Sequence, residues 1–306
     1  DYYVLKVRSI HKSKAPVAHV EAALRTAIDK YPDEVRLLML KGEVFESINP
    51  NTAINSYLEV ISIKPENAQP YIYVAKLHIA NSALGEAEAI LMKGLAKANT
   101  KSPILRQLST VYREQKQPMK QRNMLKKLVI DDPSNAEFRF ELGMVLKGIG
   151  AYNDALKQFE ELKKLGRLDD TAVMAYVDTL IQVGQLDKAQ KEAQRYELSH
   201  PQSANAKTLL GEISVQRNNL ALAATYLAAS LGIDQRKNPK AHFLYGSVLH
   251  QQNDLEKSVK HLQNAVQQDR QNPMYRLKLA KVLLEQAKTV PRGQSIRNEA
   301  LKLLSY

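Results

Sequence analysis

One spacing recurs in this chain and restricts its fold more than any other feature. In the stretch AINSYLEVISIKPENA, Ala53 precedes Tyr57 by four residues, Val60 by seven and Pro65 by twelve. Ala155, Phe159 and Leu162 repeat the first two steps, and Ala189, Ala193, Tyr196 and Pro201 run through all of them. Steps of four and seven place side chains on one face of an α-helix. Proline then ends the helix, because it lacks an N–H donor and biases the preceding residue out of the helical region. After Pro65, Asn67 can open the next turn. PYIYVAKLHIANSA then reads as a second helix, a short polar turn follows, and GEAEAILMKGLAKA reads as a third.

Carried along the chain, the grid gives nine units near 34 residues each: 1–34, 35–67, 68–101, 102–135, 136–169, 170–203, 204–238, 239–272 and 273–306. The small position of each second helix is held by Val20, Ala53, Ala87, Gln121, Ala155, Ala189, Ala223, Ser258 and Ala300. In the first helices of units two to nine another small position recurs, at Gly42, Ala75, Ser109, Gly143, Val177, Gly211, Gly246 and Ala280. An apolar residue usually stands just before it, as with Leu142, Leu210, Tyr245 and Leu279. Pro32, Pro65, Pro133 and Pro201 close second helices on schedule.

Antiparallel helices approach closely only where both present small side chains. Gly143 is therefore expected to meet Ala155, with Leu142, Phe159 and Leu162 interlocking around them. Glycine inside a helix costs about 0.5–1 kcal/mol relative to alanine. That cost is offset by packing, since each buried Leu or Phe contributes roughly 1.5–3 kcal/mol. One helix pair cannot cover its own apolar face and needs a neighbour on each side, which predicts a stack of pairs.

These positions resemble the tetratricopeptide repeat, with its Leu-Gly, Tyr, Ala, Phe and Pro landmarks, and the resemblance covers essentially the whole chain. It implies an all-α fold: one right-handed α–α superhelix, a solenoid of about nine helix–turn–helix units over 1–306. Departures are Gln121 and Val177 at small positions and the missing closing Pro of unit five. In unit nine, KTVPRGQSIR is expected to form a longer loop that delays the second helix. The chain starts at Asp1 without Met, so a processed chain or an excised fragment is expected. Tyr306 ends it without the usual stop, which points to continuation past it or to a modified cap.

The resemblance further implies that first helices line a concave groove receiving an extended peptide or a partner helix. Groove positions in the earlier units are Ile72, Lys76 and Ile79, then Arg106 and Arg113, then Phe140, Met144 and Lys147. Later units supply Met174, Asp178, Ile181, Phe243 and Leu277. Met39, Glu43, Glu46, Thr110, Thr208, Glu212, Val215, Ser247, His250, Lys281 and Leu284 belong to the same face. Its apolar members read either as a binding stripe, where Met adapts to varied partners, or as packing between neighbouring repeats. The Lys/Asn/Arg carboxylate clamp of some family members is not matched, since Arg106, Arg113 and Lys147 lack a companion Asn in the matching places.

Composition limits the remaining classes. Apolar residues make up 44 %, which excludes global disorder. Net charge is +12, and the segment 101–130 carries eight basic residues against Glu114 alone, whereas 131–200 is net −4. The Lys101–Lys127 cluster could face an anionic polymer, although a solvated Lys-rich face explains it too. Nucleic acid is disfavoured as a partner, because no aromatic-interleaved basic motif is present. With no cysteine, disulfides and thiol chemistry are excluded. No apolar run reaches about 18 residues, so no transmembrane helix is expected. His242 and His250 lie near one helical face without a third ligand at metal spacing. The pairs Asp131-Asp132, Glu160-Glu161 and Asp169-Asp170 fit helix ends and polar faces. No phosphate-cradling glycine motif occurs. The expectation is thus a non-catalytic scaffold without metal or cofactor, taking a protein or peptide in its groove. An envelope assembly or export component touching an anionic polymer is the alternative. Compartment stays open, with a bacterial periplasm or cell envelope preferred to the cytoplasm because similar arrays occur in exopolysaccharide export systems.

Overall fold

The structure is a computed structural model, and it describes residues 2–13, 16–289 and 293–304. Among them are eighteen α-helices. In chain order, two helices fall in each of the nine units of the sequence. The pairs are α1 (Tyr2–Lys12) with α2 (Val17–Lys30), α3 (Val35–Phe45) with α4 (Pro50–Ile63), and α5 (Ala68–Ala80) with α6 (Leu84–Lys97). Next come α7 (Ser102–Glu114) with α8 (Pro118–Asp131), α9 (Ala136–Gly148) with α10 (Tyr152–Lys164), and α11 (Asp170–Gln182) with α12 (Leu186–Ser199). The last are α13 (Ala204–Gln216) with α14 (Leu220–Ile233), α15 (Pro239–Gln251) with α16 (Leu255–Gln268), and α17 (Pro273–Thr289) with α18 (Gly293–Leu304). The chain forms two compact units, Asp1–Ala151 and Tyr152–Tyr306, and the boundary falls inside the fifth repeat, between α9 and α10.

The turns inside repeats three to eight share one device. A residue with positive φ recurs at Ser82, Lys116, Gly150, Gly184, Asn218 and Asn253, spaced like the repeat itself. Each ends a first helix. At Gly150 the N–H donates to the carbonyl of Lys147, and the next N–H, of Ala151, donates to Leu146. This is a Schellman closure, which needs the left-handed conformation that glycine adopts freely and asparagine tolerates. Turns between repeats use other chemistry. Second helices end two residues before Pro32, Pro65, Pro133 and Pro201, with the intervening residue out of the helical region. In repeat five, which lacks that proline, Gly166 closes α10 at φ 66° instead. Asn67, Asn135, Asp169, Ser203 and Asn238 then cap the next first helix, each side chain accepting a backbone N–H. Replacing such a cap by Ala costs about 1 kcal/mol.

Every small position predicted from the grid is buried. In second helices Ala53, Ala87, Ala155, Ala189, Ala223, Ser258 and Ala300 are 0 % exposed, and even Gln121 is only 8 % exposed. At three first-helix glycines the space of the missing side chain is taken by a large residue of the second helix. A Cβ built on Gly42 would lie 2.3 Å from the ring of Tyr57, and one on Gly211 would lie 2.6 Å from Leu227. On Gly246 it would lie 2.8 Å from Leu262. The residue one turn after the small position, not the small residue itself, enters the notch. The alanine or serine still keeps the helices close: Ser258 Oγ donates to the Gly246 carbonyl at 2.7 Å.

Unit nine corrects one expectation. KTVPRGQSIR is not a long loop: α17 runs on through Thr289, and α18 has already begun at Gly293. The remaining residues, 290–292, lie outside the described ones. Within the second unit, first helices touch their neighbours, α11 with α13, α13 with α15 and α15 with α17. No two second helices make a comparable contact among the described residues. The row of first helices is therefore the inner side of this unit.

Candidate partner-binding site

The predicted groove residues divide by environment. In the first unit Ile72 is 5 % exposed and belongs to a core cluster with Leu91, Ile104 and Leu108, and Ile79 packs against the same cluster. Ile72 thus serves the interior. Lys76, Arg106, Arg113 and Met144 are exposed, while Phe140 and Lys147 are half-buried. Lys76 lies over the ring of Tyr73 and Arg106 over that of Phe138, and Arg106 also pairs with Glu137 of the next repeat. Glu141 is half-buried there; burial and then Glu137 push its carboxyl above the usual range.

In the second unit Ile181 is 1 % exposed and is interior as well. Met174, Asp178 and Phe243 are half-buried, and Leu277 is 45 % exposed. Asp178 does not stand alone. Lys240 Nζ lies 2.7 Å from Asp178 Oδ1 and 2.7 Å from Glu212 Oε2, which ties α11, α13 and α15 together on their inner side. Burial lowers the pKa of Lys240, but Glu212 and Asp178 outweigh it and hold the ammonium above its ordinary value. Beside this network the rings of Phe243 and Tyr275 stack at 4.9 Å. Met274, 63 % exposed, Leu277 and Lys281 follow along α17 at helical spacing.

Sequence reasoning missed Lys240, Met274 and Tyr275. The signal for two of them was present. Lys240 precedes Phe243 by three residues and Met274 precedes Leu277 by three, so each extends a stripe already identified. Tyr275 lies off that stripe, and only the approach of α15 to α17 brings it to Phe243.

Other singled-out features are absorbed by structure. His242 is 1 % exposed and lies between helices, its Nδ1 3.0 Å from His261 Nδ1 and its Nε2 3.0 Å from the Gln235 carbonyl. His250 meets Glu285 and Lys278. Among the described residues, no group of three or more His, Asp or Glu side chains is placed to hold a metal ion. Asp131 accepts from Ser102, Asp132 from Ser134 and Asn135, Asp169 caps α11, and Glu160 and Glu161 pair with Lys188 and Lys164. The Lys101–Lys127 cluster is partly neutralised, because Arg106, Arg113 and Lys120 pair with Glu137, Glu114 and Glu88. Among the described residues, no helix is long and apolar enough to cross a membrane.

Known proteins agree with this architecture. Residues 177–237 match a family model described as tetratricopeptide repeat, and residues 246–286 match one described as TPR repeat. A tetratricopeptide repeat protein from Parabacteroides merdae superposes with a TM-score of 0.58 at 15 % identity, over 81 % of this chain and 98 % of that one. The C-terminal part of a TPR repeat-containing protein from Cytophaga hutchinsonii does so with a TM-score of 0.55 at 13 % identity, over 79 % and 99 %. A chain of the APC/C hetero-tetramer Cut9–Hcn1 gives 0.56 at 12 % identity, and this chain covers 56 % of its length while 93 % of this chain is covered. No curated protein matches the sequence. At such identities the likeness concerns the fold.

Proposed function

Proceeding from a chain of tetratricopeptide-repeat fold, we propose that it is a non-catalytic protein-interaction scaffold and that the row of first helices in its second unit takes a peptide segment of the partner. One observation carries the reading. On α17, Met274 and Leu277 stay exposed next to the stacked Phe243 and Tyr275, whereas Leu279, Ala280, Val282 and Leu283 of the same helix are buried. Exposed apolar side chains grouped around an aromatic pair favour association. Lys281 at the end of the same stripe adds positive charge, so an amphipathic segment with acidic residues is the best fit. The fixed Asp178–Lys240–Glu212 network borders this surface and holds three first helices in place for it. A fold shared with a chain of the Cut9–Hcn1 hetero-tetramer is in keeping with assembly into complexes.

The test is comparative capture. The chain and its M274D/L277D variant are used as baits against the same extract, with retained proteins quantified. Partners of the inner face should fall at least about tenfold with the variant while helicity by circular dichroism is unchanged. Equal retention by both baits would refute this surface as the docking site.

A further inference from the structure

A separate groove lies at the end of the second unit, between the two second helices α16 and α18 and over α17. Its volume is about 600 Å³, within the range of ligand sites. Leu279 forms its floor, with Val266 and Leu303 beside it. Two guanidiniums, Arg270 and Arg276, border these apolar walls. Arg276 Nε is buried and has no hydrogen-bond acceptor. A buried donor left unpaired is costly, and among the described residues neither Arg270 nor Arg276 has an ion-pair partner.

Comparison with related grooves sharpens the point. The groove over α11, between α10 and α12, is lined by Lys163, which pairs with Glu192. The one between α12 and α14 is lined by Arg217, which pairs with Asp187. Lys163 and Arg217 are answered within the chain, although among the described residues Arg195 in the first of these grooves is not. At the α16–α18 groove the bordering carboxylate, Glu299, instead accepts from Gln263, at 3.2 Å.

We propose that the α16–α18 groove is a second docking site, taking a short amphipathic helix of a partner protein that lays apolar side chains on Val266, Leu279 and Leu303 and presents a carboxylate to Arg270 and Arg276. Charge complementarity selects the acidic residue. The lining selects the helical form, because Gln263, Val266 and Gln267 follow one another at helical spacing along one face of α16, with Arg270 just past its C-terminal end. That face spans about one turn, roughly 6 Å, and a helix in a groove presents its own i, i+3 and i+4 side chains to such a surface. This site is on a different face from the first-helix row and does not depend on it.

Four probes are titrated into the full chain, followed by leucine and valine methyl resonances: a 14-residue helical peptide with Leu on one face flanked by Glu, the same peptide with Lys for Glu, 4-phenylbutyrate, and 4-phenylbutanol. The Glu peptide should shift the methyls of Val266, Leu279 and Leu303 and bind about tenfold more tightly than the Lys peptide. In the R270Q/R276Q variant, of unchanged helicity, the two peptides should bind alike. The acid should likewise exceed the alcohol. Binding of 4-phenylbutyrate without the Glu peptide overturns the helical occupant. Equal binding of both peptides to the unsubstituted chain, shifts confined to the first-helix row, or a preference that survives R270Q/R276Q overturns the site. M274D/L277D, which tests the inner face, should leave these titrations unchanged, so the two readings fail separately.

Discussion

The two units build the same helix pair with different fillings. In the first, the notch of Gly42 receives the ring of Tyr57, and Gly94 on α6 faces Tyr71 in the same way, a Cβ there falling 2.7 Å from the ring. Each ring carries its hydroxyl to an acceptor, Tyr57 donating to Glu46 at 2.8 Å and Tyr71 to the Pro65 carbonyl at 3.0 Å. In the second unit the notches of Gly211 and Gly246 receive Leu227 and Leu262, which have no polar end to satisfy. Polar links also differ in reach. Glu88 in the first unit gathers Tyr112, Gln115 and Lys120 from the following repeat alone. Burial and Glu88 push the Tyr112 hydroxyl up to about 12. Lys240 in the second unit joins Asp178, two repeats back, to Glu212. The repeat grid prescribes a small residue facing a large one. It leaves open whether that large residue is aromatic, and over how many repeats the charges are tied.

The largest expected effects break the fillings themselves. Tyr57→Ala should cost about 3–5 kcal/mol and Leu227→Ala about 2–5 kcal/mol. Hydrogen exchange should place the first loss in the first unit and the second loss in the second. A uniform loss over both units would show that the fillings are not local. Next comes Gly42→Ala, expected to cost about 1–3 kcal/mol by urea unfolding, because a fully buried ring gives way poorly. Gly211→Ala should cost less, since only the Leu227 side chain meets the added Cβ and it can shift rotamer, and the reverse order would contradict the contrast.

Lys240→Gln tests the longer tie. The Lys240 side chain is 38 % exposed, so the loss is expected to be only about 1 kcal/mol. Its folded pKa is raised, so its contribution is present below the ordinary lysine value and fades as pH rises through the folded one. The Gln variant should lose that alkaline dependence. Histidine provides the opposite sign. Burial first, then His242 and Lys260, lower the pKa of His261 from 6.5 to about 4. The unfolded chain binds the proton more readily in that window. Stability of the second unit should be full above about pH 6.5 and decline as pH falls toward 4, and His261→Phe should flatten the decline. The smallest effect concerns turns. Lys116 has φ 56° at the position where repeats five and six carry Gly150 and Gly184. Lys116→Gly should raise stability by about 0.5 kcal/mol, whereas Gly184→Ala should lower it.

Helix boundaries were legible because periodicity, Pro65, Pro133 and Pro201, and caps such as Asn67 all act within a few residues of one another. Both series of small positions were legible for the same reason, and each turned out to be buried. The candidate surface was less so. Ile72 and Ile181 share the stripe of Lys76 and Asp178, yet they pack inward, because a helix in a row is flanked on both sides and its apolar stripe is wider than one column. Leu277 carries the same type of side chain and stays exposed. Ile72 and Leu277 hold the same position of the repeat grid, and the neighbour at each one differs.

The sequence by itself thus determined the repeat unit, its helices, its turns and its small-to-large packing, since all of these depend on residues at most one repeat apart. Tertiary structure alone decided that Lys240 reaches back 62 residues to Asp178, that Tyr275 stacks on Phe243, and that Arg276 borders an open apolar groove. Those outcomes depend on the distance and angle between stacked pairs, which many small contacts set together and no single spacing encodes.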